Sequence, residues 1–441
     1  MPRLTTPFRR LLPLLVFALL ALPLRAIQDP PDQPKPTEKP PTEEPERVLG
    51  PQPYDPDRPV EPPAGEEDVW GYEAIETSEP DEAAETASSV EIVRARPKGE
   101  LGHRWVRSIG RWEPGAARAA WSAQGDRIAF DAPGDLGFRA IYVRDAETGQ
   151  RRCLTCDLWQ LRKKNVLAPE WHPSGDWIAV IVQDLPRRLL PSPARMASFH
   201  RALHADLWIL TADGRNAWQL TRSAEQGGAV HEAKISYEGD RIAWTERTDS
   251  RAGTEGAWVV RVAQLELRKV PSFKNDRTLR PTTWPSRVVV EGFTQNDRGL
   301  WLTLTARDRV GSLAARYDLD TLRLDLLDTG GTWDLEARAV PRGERIVLAS
   351  DRGLDRGRAL PRSADLWFIT PLGLRQERLT FFNDPSSDHY LGETLISDIA
   401  WAPDGRAVLL SLVSSNGGTT EEALWRVDLS AGLQGETSTI R

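Results

Sequence analysis

The sequence WAPDGRAVLL (residues 401–410) has a counterpart far upstream, WHPSGDWIAVI (residues 171–181). In both, a tryptophan stands four residues before a glycine and a short apolar run follows. The residues of the phrase have a physical reading. The tryptophan ends a strand with its side chain buried. Proline in the third place presets φ, and glycine in the fifth accepts a positive φ at no steric cost. The apolar run then opens a second strand, antiparallel to the first.

The same pattern begins at Trp121 (WSAQGDRIAF), Ile235 (ISYEGDRIAW), Phe293 (FTQNDRGLWL) and Ala339 (AVPRGERIVL), giving six copies in all. About 20 to 36 residues after each start comes a further strand signal. These signals are the runs at Ile141, Leu207, Trp258, Ala315, Leu366 and Leu424, and several run into a turn such as DAETG at 145–149. A fourth strand follows, as in the runs starting at Cys153, Trp218 and Arg378. Each unit is thus four short antiparallel strands, too small to bury its faces alone. Repetition around an axis buries both faces and leaves only short edges. The reading is all-β: a six-bladed β-propeller of four-stranded antiparallel blades over residues 101–441. Ring closure calls for a blade completed by both chain ends, with Trp105–Ile109 and Thr437–Ile440 as candidates.

The region before the repeats is different material. Residues 1–26 combine Arg3, Arg9 and Arg10 with the apolar run Leu11–Leu24 and a cleavage-like Leu24-Arg-Ala26, the pattern of a signal peptide. The run is shorter than a membrane-spanning helix requires, and Pro13 and Pro23 interrupt it. Residues 27–100 hold 15 of the 34 prolines and carry 20 acids against 7 bases. Such a stretch buries too little apolar surface to offset ordering its backbone, and it reads as a disordered spacer. It can serve as a tether, or as a docking tail with Tyr72, Ile75 and Val90–Val93 as anchors. The chain's net charge of −7 therefore resides in the spacer, and no basic stripe marks a nucleic-acid surface. An exported protein, periplasmic or extracellular, is expected, without a membrane span after cleavage and monomeric.

The phrase resembles the TolB-like family of WD40-like propeller repeats. The residues that carry the likeness are WAPDG at 401–405, Trp121-Ser122, and the strand ending Gln219-Leu-Thr221. The resemblance covers about 340 residues and implies the propeller fold; because the motif is structural, it implies little about activity. TolB itself carries a folded α/β domain before its propeller, where this chain has an acidic spacer. Propellers of this type also precede serine peptidase domains, but the chain holds no G-x-S-x-G.

Few residues suggest chemistry. Cys153 and Cys156 are the only cysteines, and in an exported chain a disulfide is expected. A straight strand would hold their Cα atoms about 10 Å apart, so the bridge requires a turn there. Zinc needs more ligands than this pair supplies. His200 and His204 would share one face of a helix starting near Ser192-Pro193, but Arg201 stands where a zincin needs glutamate. That insertion, basic through Arg187, Arg188, Arg195 and Arg201, suits a lid or docking surface. The residues just before each phrase point to the central channel: His231, Glu232, Glu291, Glu336 and Asp398, with Arg118 and Arg338 beside them. Converging acids there could bind a cation or polar ligand, or simply form a solvated rim. The expected function is a non-catalytic scaffold for a protein or cell-envelope partner, with no cofactor. The alternatives are a propeller hydrolase or lyase with a metal in the channel, and a glycan-binding domain using exposed aromatics.

Overall fold

The structure, a computed structural model, describes residues 91–93, 105–184, 204–248, 258–281, 287–305, 311–327, 329–341, 345–354, 362–370, 375–416 and 419–430. The leader, the rest of the spacer, His200 with its surrounding insertion, and Thr437–Ile440 lie outside these residues. Strands β1 (Glu91–Val93) and β2 (Val106–Pro114) come first. Blade 1 is β3 (Ala119–Trp121), β4 (Arg127–Pro133), β5 (Arg139–Asp145) and β6 (Arg151–Cys153). Blade 2 is β7 (Asn165–Trp171), β8 (Trp177–Gln183), β9 (Ala205–Thr211) and β10 (Ala217–Gln219). Blade 3 is β11 (Ala229–Ile235), β12 (Arg241–Arg247), β13 (Trp258–Glu266) and β14 (Ser272–Leu279). Blade 4 is β15 (Arg287–Phe293), β16 (Gly299–Thr305), β17 (Leu313–Asp318) and β18 (Leu324–Leu326). Blade 5 is β19 (Asp334–Ala339), β20 (Ile346–Ser350), β21 (Asp365–Ile369) and β22 (Arg375–Arg378), and β1 adds a fifth, parallel strand to its edge. Blade 6 is β23 (Glu393–Trp401), β24 (Ala407–Asn416) and β25 (Thr419–Leu429), with β2 as its outer strand.

The ring therefore closes through β2 against β25, paired antiparallel from Val106↔Leu429 to Pro114↔Ala423 with slips after Val106 and after Arg111. Trp105–Ile109 supplies this closure, as the sequence suggests. All six innermost strands end on the first residue of the repeated phrase. The glycine in its fifth place adopts positive φ at Gly125, Gly175, Gly239 and Gly405. Blade 4 has Asp297 there instead, also at positive φ (55°). Its carboxylate accepts the Tyr237 and Glu238 backbone N–H groups of blade 3 at 2.9 and 3.0 Å. This aspartate accepts backbone strain that a glycine would avoid, and it ties two blades together. Other turns interlock similarly: Arg127 donates to the Gly175 carbonyl, and Gln295 to the Val340 carbonyl.

The apolar run after the turn explains the core. Side chains alternate across each second strand, so one face meets the preceding blade and the other the following blade. Ile128 and Phe130 pack against blade 6, while Ala129 packs against blade 2. Ile178 and Val180 face blade 1, while Ala179 and Ile181 face blade 3. Ile242 and Trp244 face blade 2, and Ala243 faces blade 4. Buried apolar residues divide into six clusters, one per blade interface. The phrase's first residue plugs the interface with the preceding blade. Trp171, Ile235 and Phe293 are buried there, whereas Trp121, Ala339 and Trp401 are half-exposed; all six border the channel cavity.

The strand ending L-T has its own cause. The Thr380 hydroxyl accepts the Leu366 N–H (2.9 Å) and donates to the buried Asp365 carboxylate (3.0 Å). Thr221 does the same with Leu207 and Asp206 (both 2.9 Å). The threonine pins the outermost strand to the third and satisfies a buried charge.

Ala179 is fully buried between blades 2 and 3. Ala179→Leu is expected to overpack that interface and cost about 1–3 kcal/mol. Leu409→Ala, which opens a cavity between blades 6 and 1, is expected to cost about 2–5 kcal/mol. Denaturant midpoints of both variants check this. Unchanged stability in both would mean that interface packing does not hold the ring.

Candidate functional site

The innermost strands carry irregularities that the repeated phrase does not announce. Pairing slips between Leu167 and Glu170, Val230 and Ala233, Val290 and Gly292, Leu335 and Arg338, and Ile396 and Asp398. A bulge re-aims side chains locally. Glu232, Glu291 and Glu336 all lie within these slips, and Glu336 takes a left-handed backbone (φ 55°).

The predicted channel residues assemble into two ion-pair groups. Arg338 binds Glu291, Glu336 (3.0 Å) and Asp398 (3.2 Å), and donates through Nε to the Ile399 carbonyl at 3.2 Å. Arg118 pairs with Glu232, which also lies 3.5 Å from Lys234 and 3.9 Å from the His231 ring. Lys234 reaches Glu170 as well, at 3.5 Å. Asp398 accepts the Ala119 N–H at 3.3 Å and so joins blade 6 to blade 1. His231, Glu232, Glu291 and Asp398 are buried, so these residues are not a solvated rim. Sequence reasoning missed Glu170 and Lys234. Each stands one place before a phrase residue, Trp171 or Ile235; the position immediately preceding the phrase was the available signal.

Five carboxylates (Glu170, Glu232, Glu291, Glu336, Asp398) thus meet three bases (Arg118, Lys234, Arg338). The surplus acid shows in the titration. Burial, and then the charge of Glu291, pushes Glu336 up to about 8 against the pull of Arg338. Burial works against the charged form of Arg338, but the three carboxylates outweigh it and raise its pKa. Burial likewise opposes ionisation of Asp398, and Lys234, Arg118 and Arg338 prevail and hold it below the usual range. Glu336 is consequently held toward its protonated form at neutral pH.

Arg338, Glu291 and Lys234 also line a cavity of about 530 Å³ on the axis, to which every blade contributes. Trp121, Trp171, Phe293 and Trp401 supply aromatic wall, and Pro173, Pro341 and Pro403 come from the turns. Glu170 and Tyr237 add polar groups. Among the described residues, no three of His, Cys, Asp and Glu are placed to hold a metal ion. His204 is exposed. Cys153 and Cys156 form a disulfide across a turn, their Cα atoms 5.7 Å apart. No helix among the described residues is long and apolar enough to cross a membrane.

No family model matches the chain, and no curated protein matches it either. Solved structures of similar fold include a putative TolB from Agrobacterium tumefaciens, at 12% identity and a TM-score of 0.47, over 74% of this chain and 99% of that one. TolB from Acinetobacter baumannii aligns at 16% identity and 0.42, over 60% of this chain and 53% of that one, so this chain spans about half its length. An oligogalacturonate lyase in complex with manganese aligns at 11% identity and 0.46, over 76% and 96%. The likeness is one of fold: TolB proteins and enzymes share it.

The raised Glu336 pKa has a stability consequence. Between the ordinary carboxyl value and about 8 the folded chain keeps a proton that the unfolded chain releases. Stability is therefore favoured at low pH and declines as pH rises toward 8. Glu336→Gln mimics the protonated form and keeps an acceptor for Arg338. Its melting temperature is expected to exceed that of the unmodified protein by a margin that grows by several degrees from pH 5.5 to 8.5 (roughly, given the size scaling of melting shifts). Parallel melting curves at several pH values check this. A constant margin would mean that Glu336 is ionised in the fold.

Proposed function

We propose that this protein is an exported, non-catalytic binding scaffold that admits part of a protein or cell-envelope partner into the axial cavity. The observation that carries the reading is the cavity itself: it is large enough for several side chains, and its wall combines tryptophan, phenylalanine and proline with a few placed polar groups. That combination suits recognition, with apolar surface for affinity and polar groups for orientation. The ionisable residues at its base are committed to one another rather than presented to a reacting bond. Removing a charged partner such as Arg338, which would leave its carboxylates buried and uncompensated, costs about 3–5 kcal/mol, so the set is better suited to hold the channel's shape. The N-terminal leader supports export, and the acidic spacer gives the propeller reach.

Ala339 lines the cavity with one side and borders the interface of blades 4 and 5 with the other, so Ala339→Trp, the residue that Trp121, Trp171 and Trp401 supply at the same place in other blades, fills the space. Affinity capture from envelope extracts with the unmodified and filled proteins tests the reading. The expected result is a partner that the unmodified protein retains and the filled protein loses by about tenfold or more. A partner kept by both places binding elsewhere. Elemental analysis of the purified protein is the second arm. A stoichiometric transition metal there would replace the scaffold with the metal-dependent enzyme.

A further inference from the structure

The connection from blade 1 to blade 2, RRCLTCDLWQLRKK (151–164), is used neither by the cavity nor by its ion pairs. Its sequence holds five bases against one acid, in a chain whose overall charge is −7. Trp159 in its middle is 84% exposed, the most exposed large apolar side chain among the described residues. An exposed tryptophan is usually a symptom of a loose loop, but this segment is built rigidly. The Cys153–Cys156 disulfide closes its first turn. Leu154, Leu158 and Leu161 are buried in the interface of blades 1 and 2. Three successive turns follow, with backbone bonds from Leu158 to Thr155 (3.2 Å), Leu161 to Leu158 (2.9 Å) and Lys164 to Leu161 (2.9 Å). Gln160 donates to the Ala217 carbonyl at 2.9 Å, fixing the segment to the outer strand of blade 2. The buried leucines on either side force Trp159 outward, and the fold holds it there.

The charges around it divide into committed and available. Arg151 pairs with Glu113, Arg152 donates to the Ala212 and Asp213 carbonyls, and Lys164 pairs with Asp184. Arg162 and Lys163 are exposed and make no ion pair among the described residues. Asp157 is the single acid of the segment.

We propose that this disulfide-braced segment is an interfacial anchor that inserts Trp159 into an anionic lipid leaflet, with Arg162 and Lys163 on the headgroups. Tryptophan is the side chain best suited to the boundary between headgroups and acyl chains. Each nearby base adds attraction to an anionic surface and is worth about fivefold in binding. A ring that grips a sugar is flanked by other groups in a cleft. A ring with 84% of its surface free is a protrusion, and a protrusion fits a deformable layer. The contact is weak and reversible, as one apolar anchor with two charges must be.

The test uses the full chain and vesicles of brominated phosphatidylcholine, with or without about a third phosphatidylglycerol. The emission of the unmodified protein minus that of Trp159→Phe isolates Trp159 from the other tryptophans and from any membrane contact of the leader. The expected result is quenching of this difference signal on the anionic vesicles only. The quenching should disappear in high salt and fall by about twentyfold or more in apparent affinity in R162E/K163E. R162E/K163E keeps Trp159 in place, so it serves should Trp159→Phe alter the fold. An unquenched difference signal on anionic vesicles overturns the proposal. So does retardation of the unmodified protein, but not of Trp159→Ala, in gels containing a uronic-acid polysaccharide while lipid leaves the signal unchanged; that result would reassign the segment to glycan.

Discussion

Every part of this structure depends on the burial of both faces of each four-stranded sheet. A sheet this small has no interior of its own. Its second strand places Ile128 and Phe130 on one side and Ala129 on the other, and each side needs a neighbouring blade. The same large–small–large pattern recurs at Ile178-Ala179-Val180 and Ile242-Ala243-Trp244. The arrangement satisfies all six blades only when the ring is closed. The pairing of β2 with β25 is therefore the contact that makes the other interfaces possible, because without it blades 1 and 6 would each present an apolar face to water.

Closure has a second effect, at the axis. Six parallel inner strands converge there with charged side chains that cannot all reach water. The bulges in blades 2–6 turn particular residues inward, and Arg338 gathers carboxylates from blades 4, 5 and 6. Buried ion pairs seldom add net stability, since desolvation costs about as much as the attraction returns. Their value here is geometric: they fix the spacing of inner strands that share no backbone ladder. The unbalanced acid falls on Glu336, the residue with the left-handed backbone, where strain and desolvation coincide.

The fold was legible in the sequence because its determinants are local and repeated. A turn needs a residue that tolerates positive φ in its fifth place, a strand needs alternation, and the L-T endings at Thr221 and Thr380 each meet an Asp on the third strand. Each leaves a mark within 15 residues. Even the weak copy at Phe293 was readable, because Asp297 is among the few non-glycine residues that tolerate positive φ. The channel was legible only as a set of candidate residues. Gly292 marks the slip in blade 4, but no glycine marks the one in blade 3, so the bulge that lets Glu232 meet both Arg118 and Lys234 was invisible. The distinction between a solvated rim and a buried network rests on contacts between blades, such as those of Arg338 with Glu291 and Asp398, 47 and 60 residues away. The strand Glu91–Val93 was concealed differently: its short apolar run was visible, but its place at the edge of blade 5 depends on β22.

The two surfaces available for binding draw on different parts of each blade, and this governs how they can vary. The axial cavity is walled by innermost strands and their turns, where residues such as Trp171, Phe293, Glu291 and Arg338 also serve an interface or an ion pair. Change there is costly, and the cavity's chemistry is tied to the fold's stability. The Trp159 segment connects an outermost strand to the next blade and rests on leucines that the blade interface already requires. Its outward residues, Asp157, Trp159, Arg162 and Lys163, bear no part of that packing. A disulfide suits such a position, because it stiffens a perimeter segment whose exposed face contributes nothing to its own order. The axis can thus keep its geometry while the perimeter determines where the molecule is held.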